Sequence, residues 1–289
     1  VHQRLALRDK GASGDSVPHQ LIMTATPIPR TLAMTLYGDL DISIIDELPP
    51  GRTPIQTVTI PLDRREHVLQ RIASNCREGK QAYWVCTLVE QLETLDAQAA
   101  EATYQEIKER FPELNIGLVH GKMKADEKQN VMQAFKDNQL QLLIATTVIE
   151  VGVDVPNASI MVIENAERLG LSQLHQLRGR VGRGATASFC ALLYKTPLSQ
   201  NGHERLSILR ESNDGFVIAE KDLEIRGPGE LLGTKQTGDM GFRVARLERD
   251  DHLLTQAHYV AEQVLKNYPK QADALLKRWL PEAPRYAYV

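Results

Sequence analysis

Several features that would settle a function class are missing from this sequence. Its 289 residues hold no run of about 18 apolar residues, so no membrane-spanning helix is expected. The three cysteines, Cys76, Cys86 and Cys190, are far apart and have neither a metal-ligand spacing nor a disulfide pattern, which favours a reducing cytosol. The chain begins at Val1 without a signal-peptide pattern, which suggests a fragment or a processed product.

Two motifs that hold nucleotide phosphates and their metal ion are also missing. The loop G-x-x-x-x-G-K-[ST], whose backbone N–H groups surround phosphates, does not occur in the sequence. No Asp-Glu pair ends an apolar strand where it could hold Mg²⁺, because Asp46 and Glu47 run directly into Leu-Pro-Pro at 48–50, which indicates a linker. A complete nucleotide-hydrolysing site is therefore not expected within this chain alone.

The charge is unevenly distributed. The formal net charge is -3, which argues against a general basic coat for nucleic acid. Residues 168–249 nevertheless hold 13 Lys and Arg against 9 Asp and Glu, a balance of +4, and the rest of the chain carries -7. A local basic stripe on an acidic body fits a directed nucleic-acid path, and an ordinary mixed-charge surface is the alternative.

The pattern of apolar residues predicts an α/β fold. Apolar strands alternate with amphipathic helices, which favours a parallel sheet with helices on both faces. The predicted strands are 55–60, 82–87, 116–119, 141–145, 159–163 and 188–194, and the helices between them are 64–77, 94–110, 125–137 and 172–182. Two short strands at 21–23 and 42–45, with a helix at 30–37 between them, precede a proline-rich linker at 46–54. A helical hairpin at 203–213 and 215–224, a glycine-rich loop and a helical tail follow.

The segment Q-L-R-G-R-V-G-R at 176–183 is the strongest chemical signal. We predict that it lies on a helix opened by Ser172 as N-cap, with Arg180 and Arg183 on one helix face. Two guanidinium groups repel each other, so an anionic partner such as a phosphate would explain the pair. A solvent-facing basic helix is the alternative.

Polar residues at predicted strand ends supply weaker signals. Thr146 and Thr147 follow one strand, and hydroxyl groups there can hold a phosphodiester. Asp154, a little further on, could accept from a ribose hydroxyl or pair with an arginine. His120 ends another strand and could contact a nucleic-acid backbone. Because no other metal-ligand residue type lies near it in the sequence, no metal site is expected.

A further segment at 24–26, Thr-Ala-Thr, also ends a predicted strand. Thr24 or Thr26 could relay between two sites, and a helix-capping role is the alternative.

Together, these segments resemble the motifs of superfamily 2 helicases and translocases. The segment 24–26 resembles motif III, 83–90 resembles motif IV, 146–156 resembles motif V, and 176–183 resembles motif VI. Their order and spacing agree from 24 to 183. The resemblance implies a RecA-like second motor lobe that senses ATP held by another lobe.

The last third of the chain indicates which superfamily 2 proteins this sequence resembles most. The hairpin from 203 and the segment 222–238 are similar to the translocation motif shared by the RecG family and the transcription-repair coupling translocases. The linker at 46–54, Pro228 and the short tail resemble the RecG family, over nearly the whole chain. The resemblance implies that the chain starts just after motif II, and that the wedge domain and the phosphate-binding lobe up to that point are missing.

The resemblance also implies roles for individual residues in a composite nucleotide site. Arg180 and Arg183 would contact the γ-phosphate as the arginine finger, and Gln176 would support them. Gly152 and Asp154 would line the nucleotide cleft. ATP and Mg²⁺ would be bound mainly by the missing first lobe.

Other residues are implied in nucleic-acid binding and movement. Thr146 and Thr147 would lie near the nucleic-acid track. Arg205, Arg226 and Gln236 would carry the translocation motif, in which Arg205 and Arg226 tie the hairpin to the glycine-rich loop. The implied partner is branched or forked duplex DNA, acted on by a monomeric motor that could also meet single-stranded DNA-binding protein. The implied location is the bacterial cytoplasm, at the nucleoid.

These implications define four expected domains and one expected function. The domains are the end of the first motor lobe at 1–48, the second lobe at 49–198, the hairpin and translocation loop at 199–245, and the helical tail at 246–289. The function is the motor part of an ATP-dependent double-stranded DNA translocase that remodels stalled forks and Holliday junctions. The alternatives are a non-catalytic nucleic-acid-binding module, or a transcription-repair coupling translocase, which would need a polymerase-binding domain.

Overall fold

A computed structural model describes residues 53–87, 93–150, 154–184, 186–226 and 250–279, together with His19, Leu21, Met23, 43–45 and Glu47. The chain divides into two compact units. One contains Ile42–Gly238 with Thr26–Pro29, and the other contains Asp239–Val289 with two segments near the amino terminus. The larger unit holds every described strand.

Six parallel strands form one sheet in the larger unit. They are β1 (Gln56–Pro61), β2 (Gln81–Val85), β3 (Ile116–Val119), β4 (Leu142–Ala145), β5 (Ala158–Ile163) and β6 (Phe189–Tyr194). Their order in space is β1-β6-β5-β2-β4-β3. Because the strands are parallel, their amino ends share one edge of the sheet and their carboxyl ends share the other.

Helices cover both faces of this sheet. One face packs against α1 (Arg65–Arg77) and α2 (Glu93–Arg110). The opposite face packs against helices α3 (Ala125–Lys136), α4 (Leu171–Arg178), α5 (Gln200–Glu211) and α6 (Gly215–Arg226). Successive strand residues point to opposite faces, so Trp84 is buried on one face and its neighbour Tyr83 on the other. A sheet buried on both faces explains why its strands are apolar throughout.

Helices α5 and α6 form the predicted hairpin, and side chains just before each helix specify where it starts. The Ser199 hydroxyl accepts the backbone N–H of Gly202 at 3.1 Å, so α5 begins at Gln200, earlier than the predicted residue 203. Asp214 Oδ1 accepts the N–H of Phe216 at 2.8 Å and starts α6. The three residues between the helices make a tight connection.

The smaller unit contributes two described helices, α7 (Leu254–Asn267) and α8 (Pro269–Trp279). Pro269 is the first residue of α8, a position where the missing proline N–H costs no helical hydrogen bond. The helical tail predicted from the sequence is therefore confirmed for residues 254–279, apart from Tyr268. Among the described residues, no helix has the length and apolar run needed to cross a membrane.

The predicted α/β class and all six strands of the main sheet are confirmed, with boundaries shifted by a few residues at most. The helix predicted at 172–182 is partly wrong, since α4 ends at Arg178. Ser172 is not its N-cap either, because Gly170 occupies that position. The described part of the predicted strand at 42–45 is not in a strand, and Ile45 is 88% exposed there.

The described residues of the strand predicted at 21–23 are not in a strand either. Leu21 and Met23 lie outside any strand and are exposed. Short apolar runs are weak strand signals, because their length and periodicity do not distinguish a strand from other structure. The predicted helix at 30–37 lies outside the described residues.

Candidate functional site

At the carboxyl edge of the sheet, polar residues follow two paired strands. Thr146 follows β4 directly, is buried, and donates its backbone N–H to the carbonyl of Val119 at 3.2 Å. Thr147 opens a short 3-10 helix, Thr147–Glu150, and is half-buried. His120 follows β3, which pairs with β4. The structure thus brings together three residues that the sequence singled out separately.

His120 is unusual for a residue at this edge. It is 7% exposed, and its Nε2 lies 3.3 Å from Glu101 Oε1. Its Nδ1 is buried without a hydrogen-bond partner among the described residues. The buried Nδ1 of His120 is therefore an unsatisfied polar atom at this strand end.

The arginine loop, which we define as residues 179–184, lies at the opposite edge. A Cβ atom added at Gly182 would come within 2.8 Å of Ile55 Cγ1, and one added at Gly184 within 2.5 Å of the Pro156 carbonyl oxygen. Ile55 precedes β1 and Pro156 precedes β5, so the loop packs against the amino ends of strands. The sequence pattern had directed attention to the carboxyl edge. The structure places the candidate residues at both edges.

Arg180 and Arg183 do not share a helix face, because the helix that would carry them has already ended. Gly179 is the C-cap of α4, and Gly182 has a positive φ of 76°. Between them the backbone N–H of Arg180 bonds the Leu177 carbonyl at 3.0 Å, a turn bond. The prediction that Arg180 and Arg183 share one helix face is therefore wrong. A loop that contains Gly179 and Gly182 carries the two side chains instead.

Arg183 is held by weak contacts at this edge. Its Nη1 lies 3.2 Å from Asp154 Oδ1, and its Nε donates to the Gly179 carbonyl at 3.0 Å. The side chains of Arg183 and Asp154 are 31% and 58% exposed, and such surface pairs contribute about 0–1 kcal/mol. The pairing is one of the two alternatives left open for Asp154. A multiply charged phosphate could displace it at low cost.

A tyrosine beneath the loop shares its electrostatic environment. Burial raises the pKa of Tyr83 to about 12, while the positive charges of Arg180 and Arg183 partly offset the increase and Asp154 adds to it. The interaction places all four groups in one electrostatic neighbourhood. Gln176 lies half-buried on α4, one turn before the loop.

Arg205 ties the hairpin to the body of the lobe. Its Nη1 and Nη2 donate to the carbonyls of Leu169 and Glu167, each at 2.9 Å, in the segment between β5 and α4. The family resemblance had implied a tie between the hairpin and the glycine-rich loop. The side chain of Arg226, and Gln236 with that loop, lie outside the described residues, as do Gly152, Thr24 and Thr26.

Arg178 is a residue whose role the sequence reasoning missed. It is 2% exposed, and its Nη1 donates to the carbonyls of Leu209 at 2.7 Å and Ser212 at 2.8 Å, where α5 ends. A signal was available in the spacing. Arg178 falls seven residues after Leu171 and four after Leu174, on the apolar stripe that a helix buries.

Comparisons with known proteins agree with these features. The family described as "Helicase conserved C-terminal domain" matches residues 63–185, which span most of the sheet, α4 and the arginine loop. The family described as "ATP-dependent DNA helicase RecG, domain 3, C-terminal" matches residues 212–280. Since the translocation motif is shared with the transcription-repair coupling translocases, this second match favours RecG over them. The chain belongs to the RecG family.

Individual relatives support the assignment. ATP-dependent DNA helicase RecG of Escherichia coli (strain K12) is 66% identical over 288 residues, which are 99% of this chain and 42% of that protein. The Haemophilus influenzae RecG is 62% identical, with the same two coverages. A solved structure of RecG bound to a three-way DNA junction aligns with a TM-score of 0.64 at 45% identity, over 80% of this chain and 30% of that one.

These matches define the fold of the described lobe as the RecA-like fold of helicase carboxyl-terminal domains. The chain spans 42% of the length of the E. coli relative. The predicted family and fold are therefore confirmed.

Proposed function

We propose that this chain is the carboxyl-terminal motor part of an ATP-dependent double-stranded DNA translocase that remodels stalled replication forks and Holliday junctions in recombination and DNA repair. The observation that carries the proposal is the arginine loop, which holds two arginines at a sheet edge while the chain contains no phosphate-binding loop. Arginines without a loop to hold the phosphates fit one half of a site shared between two lobes.

In this site, the arginine loop supplies positive charge to the γ-phosphate of ATP bound by another lobe. Arg183 exchanges its exposed contact with Asp154 for the phosphate, and Arg180 adds a second guanidinium beside it. Planar guanidinium groups match phosphate oxygens bidentately and stabilise charge that develops during phosphoryl transfer. Gln176 supports the loop from α4, and Asp154, once released, faces the ribose together with Gly152. The phosphates and Mg²⁺ are held mainly by the other lobe.

The carboxyl edge is proposed to contact nucleic acid. Thr146 and Thr147 would offer their hydroxyl groups to a phosphodiester, and His120 lies beside them at this edge. The chain that leaves β4 at Thr146 reaches β5 at Ala158, so one segment runs from the nucleic-acid edge to the nucleotide edge. A change in nucleotide at one edge can therefore move contacts at the other.

The hairpin and the loop after it are proposed to convert lobe movement into a step along duplex DNA. Arg205 ties the hairpin to the lobe. Arg226 and Gln236 are proposed, from the family resemblance, to carry the rest of the translocation motif. The proposed domains are the end of a first lobe at 1–48, the second lobe at 49–198, the hairpin and loop at 199–245, and the tail at 246–289. The active form is a monomer in the bacterial cytoplasm at the nucleoid, where single-stranded DNA-binding protein is a candidate partner.

The test uses a chimera in which this chain replaces the matching 42% of E. coli RecG. We expect Arg183→Ala to lower fork-stimulated ATP hydrolysis by about 10³-fold, the scale of a supplied arginine. The control is Arg77→Ala, which removes another surface arginine paired with a carboxylate, Glu113, on the opposite face. Full hydrolysis by the Arg183 variant would overturn the assigned role, and so would an equal loss in the control.

A second candidate function is supported by the missing phosphate-binding loop. Taken alone, the 289 residues would act as a non-catalytic nucleic-acid-binding module. We expect the purified chain to show no DNA-stimulated ATP hydrolysis and weak duplex binding. Appreciable turnover by the isolated chain would contradict the composite-site proposal, because it would require a complete site within these residues.

A further inference from the structure

We infer that Arg178 is a positioning residue that couples the arginine loop to the helical hairpin, so that a displacement of the loop by nucleotide moves the hairpin. This inference rests on the proposed function, since it concerns how that motor transmits movement. Its basis is the placement of one buried guanidinium between two functional elements.

Arg178 contacts residues that are far away in the sequence. Its Nη1 donates to the Leu209 and Ser212 carbonyls at 2.7 and 2.8 Å and lies 3.5 Å from the Thr57 hydroxyl. Its Nη2 lies 3.2 Å from His175 Nδ1, which must accept because a guanidinium only donates. The side chain therefore links the last turn of α4 to the end of α5 and to β1.

The physical basis of the link is the unsatisfied end of a helix. The last carbonyls of α5 have no helical N–H partner, and they form the negative end of its dipole. The Arg178 guanidinium supplies both the hydrogen bonds and the positive charge from a neighbouring helix. Because the group is 2% exposed, water cannot easily replace it when α4 and α5 separate.

The position of Arg178 in the chain connects the arginine loop directly to the contacts that hold α5. Arg178 is the last residue of α4, and the next residue, Gly179, opens the arginine loop. A shift of Arg180 and Arg183 toward a phosphate must therefore pull on the residue that holds α5. The backbone of the loop is held in place at two positions, because it packs against Ile55 at Gly182 and against Pro156 at Gly184.

Two other contacts make the hairpin respond as a unit. The backbone N–H of Ile55 donates to Asn213 Oδ1 at 3.3 Å, which joins the hairpin turn to the residue beneath Gly182. Arg205 holds the segment just before α4. The helix α5 is thus attached near both ends of α4, so α4 and the hairpin are expected to move together.

A purely structural role predicts a different outcome from coupling, and Gln81 provides the matched control. Gln81 is fully buried, and its Nε2 donates to the carbonyls of Phe135 and Leu140, each at 2.6 Å. It makes the same kind of contact as Arg178, a buried donor bound to two backbone carbonyls. Its bonds go to α3, to the segment before β4 and to Asn157, and none of them goes to the hairpin. Its loss should destabilise the lobe without affecting transmission.

The experiment measures base pairs of fork DNA unwound per ATP hydrolysed, in the chimera with E. coli RecG. We expect Arg178→Lys and Arg178→Gln to retain fork-stimulated ATP hydrolysis within a few-fold. The ratio should fall about tenfold in Arg178→Gln, the scale of a lost coupling contact, and by less in Arg178→Lys. Lysine keeps the charge but has no second nitrogen in the place of Nη2, which contacts His175 Nδ1, so it should preserve the ratio only partly. Gln81→Leu should leave the ratio unchanged.

Each outcome bears on the inference. An unchanged ratio in both Arg178 variants would overturn it, as would an equal fall in Gln81→Leu. Failure of both Arg178 variants to fold would assign the residue to folding alone and also overturn it. If the unsubstituted chimera shows no fork-stimulated hydrolysis, the proposed function itself fails, and that result is distinct from all of these.

Discussion

Two arginines of this chain have different proposed roles because one is buried and the other is exposed. Arg178 is buried and bonded to backbone carbonyls, so its loss leaves polar groups unsatisfied in the interior. Arg183 has an exposed carboxylate partner that it can leave at low cost. Arg183, a candidate catalytic group, lies five positions after Arg178, the inferred positioning residue. Residue type alone does not distinguish them.

The glycines of the arginine loop provide a test at this scale. Gly182→Ala should destabilise the chain by about 2–4 kcal/mol, since it adds strain at a φ of 76° to a contact 2.8 Å from Ile55 Cγ1. The matched control is Gly79→Ala, with a φ of 88° but no atom within 4 Å of the added Cβ, which should cost about 1 kcal/mol. Urea unfolding of the purified chain measures both, and equal effects would contradict the packing of the loop.

The buried thiols predict a pH dependence of stability. Burial raises the pKa of Cys76 and Cys190 to about 12, and the nearby positive charges of Arg77 and Arg178 respectively oppose this increase only in part. Because the folded pKa lies above the unfolded value near 9, the stabilisation is fully present below pH 9 and is lost as pH rises from 9 towards 12. The urea midpoint should therefore fall over this range.

A thiol-specific disulfide reagent gives an independent readout of the same thiols. All three cysteines are buried, so at pH 8 the folded chain should react slowly and the urea-unfolded chain quickly. Fast stoichiometric labelling under native conditions would show that the described packing of these residues is wrong.

At the scale of elements, the hairpin is specified by local signals and then positioned by distant ones. Ser199 and Asp214 cap the starts of α5 and α6 through bonds within a few residues. Arg178, Arg205 and Asn213 then attach the hairpin to the lobe through contacts 31 to 158 residues apart in the sequence. Formation and placement of the hairpin are therefore separable.

Substitution of Asp214 tests the local hydrogen bond that caps the start of α6. Asp214→Ala should lower the free energy of unfolding by about 1 kcal/mol, because the N–H of Phe216 loses its acceptor. Asp214→Asn keeps an oxygen in the same place and should be close to neutral. Urea unfolding distinguishes them, and a loss in the asparagine variant as large as in alanine would indicate that charge, not capping, is what the hairpin requires.

At the scale of the whole molecule, the described lobe separates its candidate sites. The proposed nucleotide contacts lie at the amino edge of the sheet and the proposed nucleic-acid contacts at the carboxyl edge, roughly 15 Å apart by the length of the strands. Under the proposed function, the sheet would transmit movement as a rigid layer between the two ligands. With a net charge of -3, the proposed nucleic-acid binding would depend on local positive groups.

Salt dependence tests this arrangement. Duplex binding by the isolated chain should weaken steeply with salt, and Lys122→Gln, next to His120 at the carboxyl edge, should reduce the slope of log K against log salt by about 1. The control is Lys108→Gln, near the end of α2, where an exposed lysine contacts the Tyr104 hydroxyl at 3.2 Å. A reduced slope in the control with none at Lys122 would place the nucleic acid elsewhere.

Much of the fold was accessible from the sequence because strand and helix signals are local. Six apolar runs became the six strands, and the helical hairpin predicted at 203–213 and 215–224 forms at Gln200–Glu211 and Gly215–Arg226. The prediction was wrong where a helical sequence pattern continued beyond the residue at which the helix ends. The helix of the arginine motif was extended through Gly179 and Gly182, although glycine at a helix end and at a positive φ favours termination.

The sequence by itself determined the parallel α/β class, the family resemblance and the residue types of the candidate sites, because these depend on short-range periodicity and motif spacing. Only the tertiary structure decided that the arginines lie at the amino edge, that Arg178 is buried against the hairpin, and that Arg205 binds carbonyls of the lobe. Such facts depend on which distant segments pack together. Packing minimises the exposed apolar area of the whole lobe, which no single segment encodes.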